Sequence, residues 1–120
     1  MSSLKRLASL LTVQKGRVDR AIALVHEQNR ILREWESERE AARQRWSDAV
    51  GASLGCDAYR VQMTAAAEQL RVAEDSVSCA LTAAMEARTA YRRSLARQEA
   101  LMTLQTSWRK REWARHVDSE

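Results

Sequence analysis

Side chains of one type recur every seven residues along most of this chain, and this repeat limits what the chain can fold into. In the first half, one row of the repeat contains Leu4, Leu11, Val18, Val25, Leu32, Arg39 and Trp46. A second row lies three residues further on and contains Leu7, Gln14, Ala21, Gln28, Trp35, Ala42 and Ala49. Two mostly apolar rows held at this spacing predict a left-handed coiled coil.

The second half of the chain continues the repeat with smaller side chains. One row contains Met63, Leu70, Val77, Ala84 and Tyr91. The other row contains Tyr59, Ala66, Ala73, Ala80, Ala87, Ser94 and Leu101. Because alanine is small, this seam lets the two helix backbones approach each other closely.

The composition favours helix from end to end, since the 120 residues include no proline and only three glycines. Gly51 and Gly55 mark the one convincing break, and Asp57 is a candidate N-cap for the segment that follows. We therefore predict an all-α fold: an antiparallel coiled-coil hairpin with helices at 3–49 and 58–116 and a turn at 50–57. The rival interpretation is a parallel homodimer of one continuous helix.

The predicted turn also sets a register between the two helices. If residue i lies opposite residue 107 − i, Leu4 lies near Met102. Residues from about 105 onward then have no partner. This overhang would contain Trp108 and Trp113 among basic side chains, an arrangement that suggests a binding segment.

Charge is sorted along the sequence. Residues 1–30 and residues 87–120 each carry a net charge of +4, whereas residues 31–57 and 58–86 each carry −2. A hairpin would bring the two basic quarters together at its open end. Such an end is suited to binding an acidic partner.

The sequence lacks the patterns that catalysis or cofactor binding requires. It has no glycine-rich phosphate loop and no Cys/His cluster, and its only histidines are His26 and His116. No apolar run reaches the ~20 residues of a membrane span, and the start of the chain does not resemble a signal peptide. Cys56 and Cys79 lie at no metal-binding spacing, which favours reduced thiols. We therefore expect a non-enzymatic cytoplasmic protein with no cofactor, no small-molecule substrate and no membrane insertion.

Nucleic-acid binding is an alternative, because the isoelectric point is about 9.6 and tryptophan alternates with arginine at 108–115. Against it, the net charge is only +4 and acidic residues are interspersed. A structural homodimeric coiled coil is the other alternative.

The chain resembles the FliJ/YscO family, the stalk (central shaft) proteins of bacterial type III secretion machines. The resemblance covers the whole chain. It includes the opening Leu4-Lys5-Arg6-Leu7-x-x-Leu10-Leu11-x-Val13, the single mid-chain break, the Tyr59-Arg60 step after it, and the Trp/Arg-rich end. The short chain is more similar to the virulence-associated branch than to the flagellar branch.

The resemblance implies a function as well as a fold. Members of this family insert into the hexameric secretion ATPase, promote its assembly and turnover, and contact the cytoplasmic ring of the export gate. Some members also bind secretion chaperones. The resemblance thus predicts a non-catalytic adaptor at the cytoplasmic face of the secretion apparatus.

The basic end is then the predicted ATPase-binding surface. Its residues are Lys5, Arg6, Lys15, Arg17, Arg20, Arg97, Trp108, Arg109, Lys110, Arg111, Trp113 and Arg115. An alternative role for Trp108 is structural, as a cap folded over Leu4 and Leu7. The predicted export-gate contact lies in the acidic half and contains Tyr59, Arg60, Met63 and Leu70. Tyr59 and Met63 also fit the seam, so a structural role competes with a contact role there.

Overall fold

Two long helices make up the described part of the chain. The computed structural model describes residues 2–52 and 58–118; α1 spans Ser2–Ala52 and α2 spans Ala58–Asp118. The chain is an all-α antiparallel coiled-coil hairpin, as predicted, and the rival continuous helix is wrong. Residues 50–52 belong to α1 and not to the turn. The rest of the predicted turn, including Gly55, Cys56 and Asp57, lies outside the described residues.

The hairpin divides into two packing units, each built from a stretch of both helices. We call residues 1–25 and 87–120 the basic unit, and residues 26–86 the acidic unit. The sequence of the basic unit has thirteen Lys or Arg against five Asp or Glu, a net charge of +8. The acidic unit has seven against eleven, a net charge of −4. The division by packing therefore coincides with the division by charge.

The core of the acidic unit is built on alanine. Leu32 of α1 packs with Val77, Ala80 and Ala84 of α2, and Ile31 covers the edge of this cluster. Ala84 is fully buried, because a methyl group fills the space between closely spaced helices. The predicted seam rows are thus the rows that the helices bury here.

The core of the basic unit has larger side chains and one polar group. Leu7, Val18 and Val25 of α1 are buried, and Leu7 is only 2% exposed. Gln14 is also buried, and its side-chain amide donates a hydrogen bond of 2.8 Å to the backbone carbonyl of Ser94. This bond satisfies one of the polar groups that burial would otherwise leave without a partner.

The register between the helices differs from the predicted one. In the basic unit, Leu4 and Trp108 line one surface hollow, whereas the predicted register places Leu4 near Met102. The hydrogen bond from Gln14 to Ser94 lies within one residue of the predicted pairing. In the acidic unit, Arg45 donates a hydrogen bond of 3.0 Å to Gln69. The predicted overhang from about residue 105 is therefore wrong in its starting point, since Trp108 already has α1 beside it.

Not every position in the seam rows is buried. Trp35 and Tyr59 are exposed, and Arg39 is half-buried with its Nε lacking a hydrogen-bond partner within the described part of the chain. Trp35 borders hollows that also contain Ala73 and Ala80. Within the described residues, no helix contains a stretch apolar enough to cross a membrane.

Candidate protein-binding surface

All twelve residues of the predicted ATPase-binding surface lie in the basic unit. They come from both helices, and the antiparallel pairing brings together side chains that are about a hundred positions apart in sequence. Each of the ten lysine and arginine side chains in this set is exposed. The packing thus places all twelve residues in one unit, distributed over both helices.

The charges on this surface are not neutralised from within. Among the residues that the structure describes, none of these ten basic side chains has a carboxylate at ion-pairing distance. Like charges on one surface raise each other's electrostatic energy, and an acidic partner would relieve that repulsion. These cations are therefore available to pair with the acidic side chains of a partner protein.

Arginines of the acidic unit are arranged differently. Arg71 bonds to Glu68 at 2.5 Å and to Asp75 at 3.0 Å, and Arg30 bridges Glu27 and Glu34 in the same way. These carboxylates lie three or four residues from the arginine, on the same face of the helix.

The ion pairs of the acidic unit also shift pKa values. The hydrogen bond from Arg71 lowers the pKa of Glu68, and the hydrogen bond from Arg30 lowers the pKa of Glu27. The same bonds raise the pKa of Arg30 and Arg71. Both carboxylates therefore stay ionised to lower pH, and the arginines that hold them have partners on their own helix.

The two tryptophans near the end of α2 have different surroundings. Trp108 is half-buried and lies with Leu4 in one hollow, which favours the structural role as a cap on Leu4. Trp113 is 69% exposed. An indole ring exposed among cations gains most from burial in a partner, because tryptophan and arginine are enriched at the energetic centres of interfaces.

The hollow at this end of the basic unit has a volume of about 210 Å³. Ser3 and Leu4 of α1 line one side, and Trp108, Arg111 and Arg115 of α2 line the other, together with Glu112. Residues 108, 111, 112 and 115 share one helical face because they are spaced by three and four. The hollow therefore shows that the flank of α1 that carries Ser3 and the flank of α2 that carries Arg111 lie on the same side of the basic unit.

The predicted export-gate residues lie in the acidic unit. Met63 and Leu70 are half-buried seam residues, which favours their structural role. Tyr59 and Arg60 are exposed in the first turn of α2. A contact role is therefore more plausible on structural grounds for the Tyr59-Arg60 step than for the other two residues.

Exposed apolar side chains on the flank of α1 were missed by the sequence prediction. Leu10, Val13 and Leu24 are about half exposed, and they are separated from the seam by roughly a quarter turn of the helix. No seven-residue apolar row marks them, because arginine stands seven residues after both Leu10 and Val13.

Comparison with known proteins gives no relative: no family model, no curated protein and no solved structure matches the chain. Functional inference therefore depends on the exposed, unneutralised cations, the exposed Trp113 and the spacing of apolar residues on the helix flanks.

Proposed function

We propose that this protein is a non-enzymatic stalk of a bacterial type III secretion machine. In this role it inserts into the hexameric secretion ATPase and promotes the assembly and turnover of the hexamer. The observation that carries the proposal is the basic unit, with a net charge of +8 and exposed cations that lack carboxylate partners among the described residues. A helical hairpin with such a surface is suited to docking against acidic protein loops.

In this proposal, the exposed cations and the exposed indole ring of Trp113 contribute to binding in different ways. Exposed cations such as Arg109 and Lys110 speed the encounter with an acidic partner and orient the hairpin, but add little affinity each. Trp113 supplies affinity, because its large exposed surface is removed from water in the complex. Trp108 contributes indirectly, by holding the end of α2 against Leu4.

An adaptor also needs a second contact. In our proposal, the Tyr59-Arg60 step at the start of α2 contacts the cytoplasmic ring of the export gate, and Met63 and Leu70 keep the underlying helix in place. Secretion chaperones are further candidate partners. The protein would then act at the cytoplasmic face of the secretion apparatus and link the ATPase to the gate.

ATP hydrolysis by the type III secretion ATPase of the same organism tests the proposal. We expect the full chain to raise the hydrolysis rate and Trp113→Ala to raise the protein concentration for half-maximal stimulation by about tenfold. This substitution removes an exposed side chain, so the free energy of unfolding should change by less than about 0.5 kcal/mol.

Trp108→Ala is the matched control for the loss of one indole ring. It should lower the stability of the hairpin, because it uncovers Leu4. At temperatures where this variant remains folded, Trp113→Ala should reduce stimulation more than Trp108→Ala does. If the full chain fails to stimulate an active, hexamer-forming ATPase, the stalk proposal is wrong. Dimerisation and nucleic-acid binding would then be measured next.

A further inference from the structure

The flank of α1 in the basic unit carries a second row with coiled-coil spacing. Arg6, Leu10, Val13, Arg17 and Arg20 are spaced by four, three, four and three residues, and all five are exposed. Leu10 is 55% exposed and Val13 is 52% exposed. Alternation of three and four is the spacing that one helix presents to another. This row points away from the seam with α2, so it is available to a further helix.

A matching row lies on the flank of α2. The hollow lined by Ser3 and Arg111 shows that these two residues face the same side of the basic unit. Arg6 and Leu10 lie three and seven residues after Ser3, so they continue the flank of α1 along that side. Leu104 and Arg97 lie seven and fourteen residues before Arg111 and continue the flank of α2.

The spacing thus places the two rows on one side of the seam, and we call the surface between them the flank groove. It is defined by Arg6, Leu10, Val13 and Arg17 of α1 and by Arg97, Leu104 and Arg111 of α2, all of which are exposed. Leu104 is 39% exposed, so each side of the groove offers apolar surface next to arginine. Among the described residues, the four arginines Arg6, Arg17, Arg97 and Arg111 have no carboxylate at ion-pairing distance.

We propose that the flank groove binds one amphipathic helix of a partner protein, with apolar residues at coiled-coil spacing and acidic residues on both sides of them. The bound helix would complete a three-helix coiled coil over the basic unit. Its apolar row would cover Leu10, Val13 and Leu104, and its carboxylates would pair with the flanking arginines. The inference rests on the proposed function, which assigns partner binding to the basic unit. It adds that the bound segment of the partner is an acidic amphipathic helix.

The arginines of the flank groove favour an acidic helix over a second copy of this chain as the bound partner. Two flank grooves placed face to face would bring Arg6, Arg17 and Arg97 of one copy against the same residues of the other. Like charges in contact disfavour such a pairing. An acidic helix neutralises the same arginines and buries the same apolar side chains.

Two synthetic peptides test this inference without the ATPase. Each has 28 residues in four heptads, with leucine at the two seam positions and a fluorophore at its N-terminus. One peptide has glutamate at the positions beside the seam, and the other has lysine there. Fluorescence anisotropy with the full chain should give a dissociation constant at least about tenfold lower for the glutamate peptide.

The double substitution Val13→Ser/Leu104→Ser should weaken binding of the glutamate peptide by at least about tenfold. Leu81→Ser/Met85→Ser is the matched control, because it removes two exposed apolar side chains from the acidic unit, and it should leave the affinity unchanged. Circular dichroism checks that both variants retain their helix content. If the groove variant binds the glutamate peptide as tightly as the unmodified chain does, charge alone holds the peptide and the inference is wrong.

ATP hydrolysis with the same groove variant separates this inference from the proposed function. Loss of both peptide binding and stimulation supports the inference and assigns the bound helix to the ATPase. Loss of peptide binding with full stimulation supports a helix-binding groove that serves another partner. Full peptide binding with full stimulation overturns the inference and leaves the proposed function intact.

Discussion

The two packing units of this hairpin differ in how some of their exposed basic side chains are paired. In the acidic unit, Arg30 and Arg71 each hold two carboxylates of their own helix. In the basic unit, exposed bases such as Lys15, Arg109 and Lys110 have no carboxylate partner among the described residues. Both units are built from the same two helices, but they differ in the pairing of their exposed bases as well as in the size of their buried side chains.

This difference indicates how the two units divide their tasks. Internal ion pairs at helical spacing support the helix that carries them, although each exposed pair is worth little. Exposed like charges without partners give the free protein no such support, but they favour a complex with an acidic partner. We infer that charged side chains of the acidic unit are paired within the free protein, whereas the exposed cations of the basic unit become paired when a partner binds.

Truncation of the buried Leu7 should change the free energy of unfolding more than any other substitution proposed here. Leu7→Ala leaves every charge in place but creates a cavity in the seam of the basic unit, where Leu7 is 2% exposed. We expect the free energy of unfolding to fall by about 3 kcal/mol, measured by urea denaturation. Leu81→Ala, at an exposed position of the acidic unit, should change it by less than about 0.5 kcal/mol. Equal losses for the two variants would contradict the packing described here.

A helical glycine in each unit allows a gain of stability. Gly16→Ala places a Cβ atom 3.5 Å from Arg20 Nη1, which is an ordinary contact, so the variant should be more stable by about 1 kcal/mol. Gly51→Ala also meets no steric obstacle, but Gly51 is the penultimate residue of α1. Its gain should be smaller because helix ends fray. Thermal denaturation of the two variants would reveal a larger gain at Gly51 if this ranking is wrong.

Loss of the internal ion pairs should have the smallest effect on the stability of the hairpin. This effect should be measurable as the pH is lowered. Hydrogen bonds from Arg30 and Arg71 lower the pKa of Glu27 and Glu68 below their usual value of 4.5. A lowered pKa in the folded state means that the stabilising contribution is present above pH 4.5 and is lost as the pH falls through the folded-state pKa.

Glu27→Gln/Glu68→Gln should therefore flatten the decline of helix stability with falling pH, as measured by denaturation at a series of pH values. The effect should shrink at high salt, because these side chains are exposed. A decline that is as steep in the double variant as in the unmodified chain would show that these pairs contribute nothing measurable.

The sequence was sufficient to predict the seam, because the rows at seven-residue spacing include Leu7, Leu32 and Ala84, which the helices bury. It was not sufficient to predict the register. α1 continues to Ala52, beyond the predicted end at residue 49. At the other end of the hairpin, Leu4 lines one hollow with Trp108, whereas the predicted register places it near Met102.

The binding surface was predicted in composition but not in shape. The count of charges identified the basic unit, because antiparallel pairing of the two ends follows from the hairpin. The flank groove depends on which side of α1 lies beside which side of α2, and a seven-residue repeat in one helix does not contain that information. The hollow between Ser3 and Arg111 supplies it.

The affinity of the secretion ATPase for two charge variants tests the central claim most directly. The variants each replace three basic residues by glutamine: Arg109, Lys110 and Arg111 in the basic unit, or Arg33, Arg43 and Arg45 in the acidic unit. Isothermal titration calorimetry at low and high salt gives the dissociation constants. We predict that the basic-unit variant binds at least about tenfold more weakly at low salt and that the acidic-unit variant binds like the unmodified chain. Equal weakening of the two variants would contradict the claim that binding resides in the basic unit.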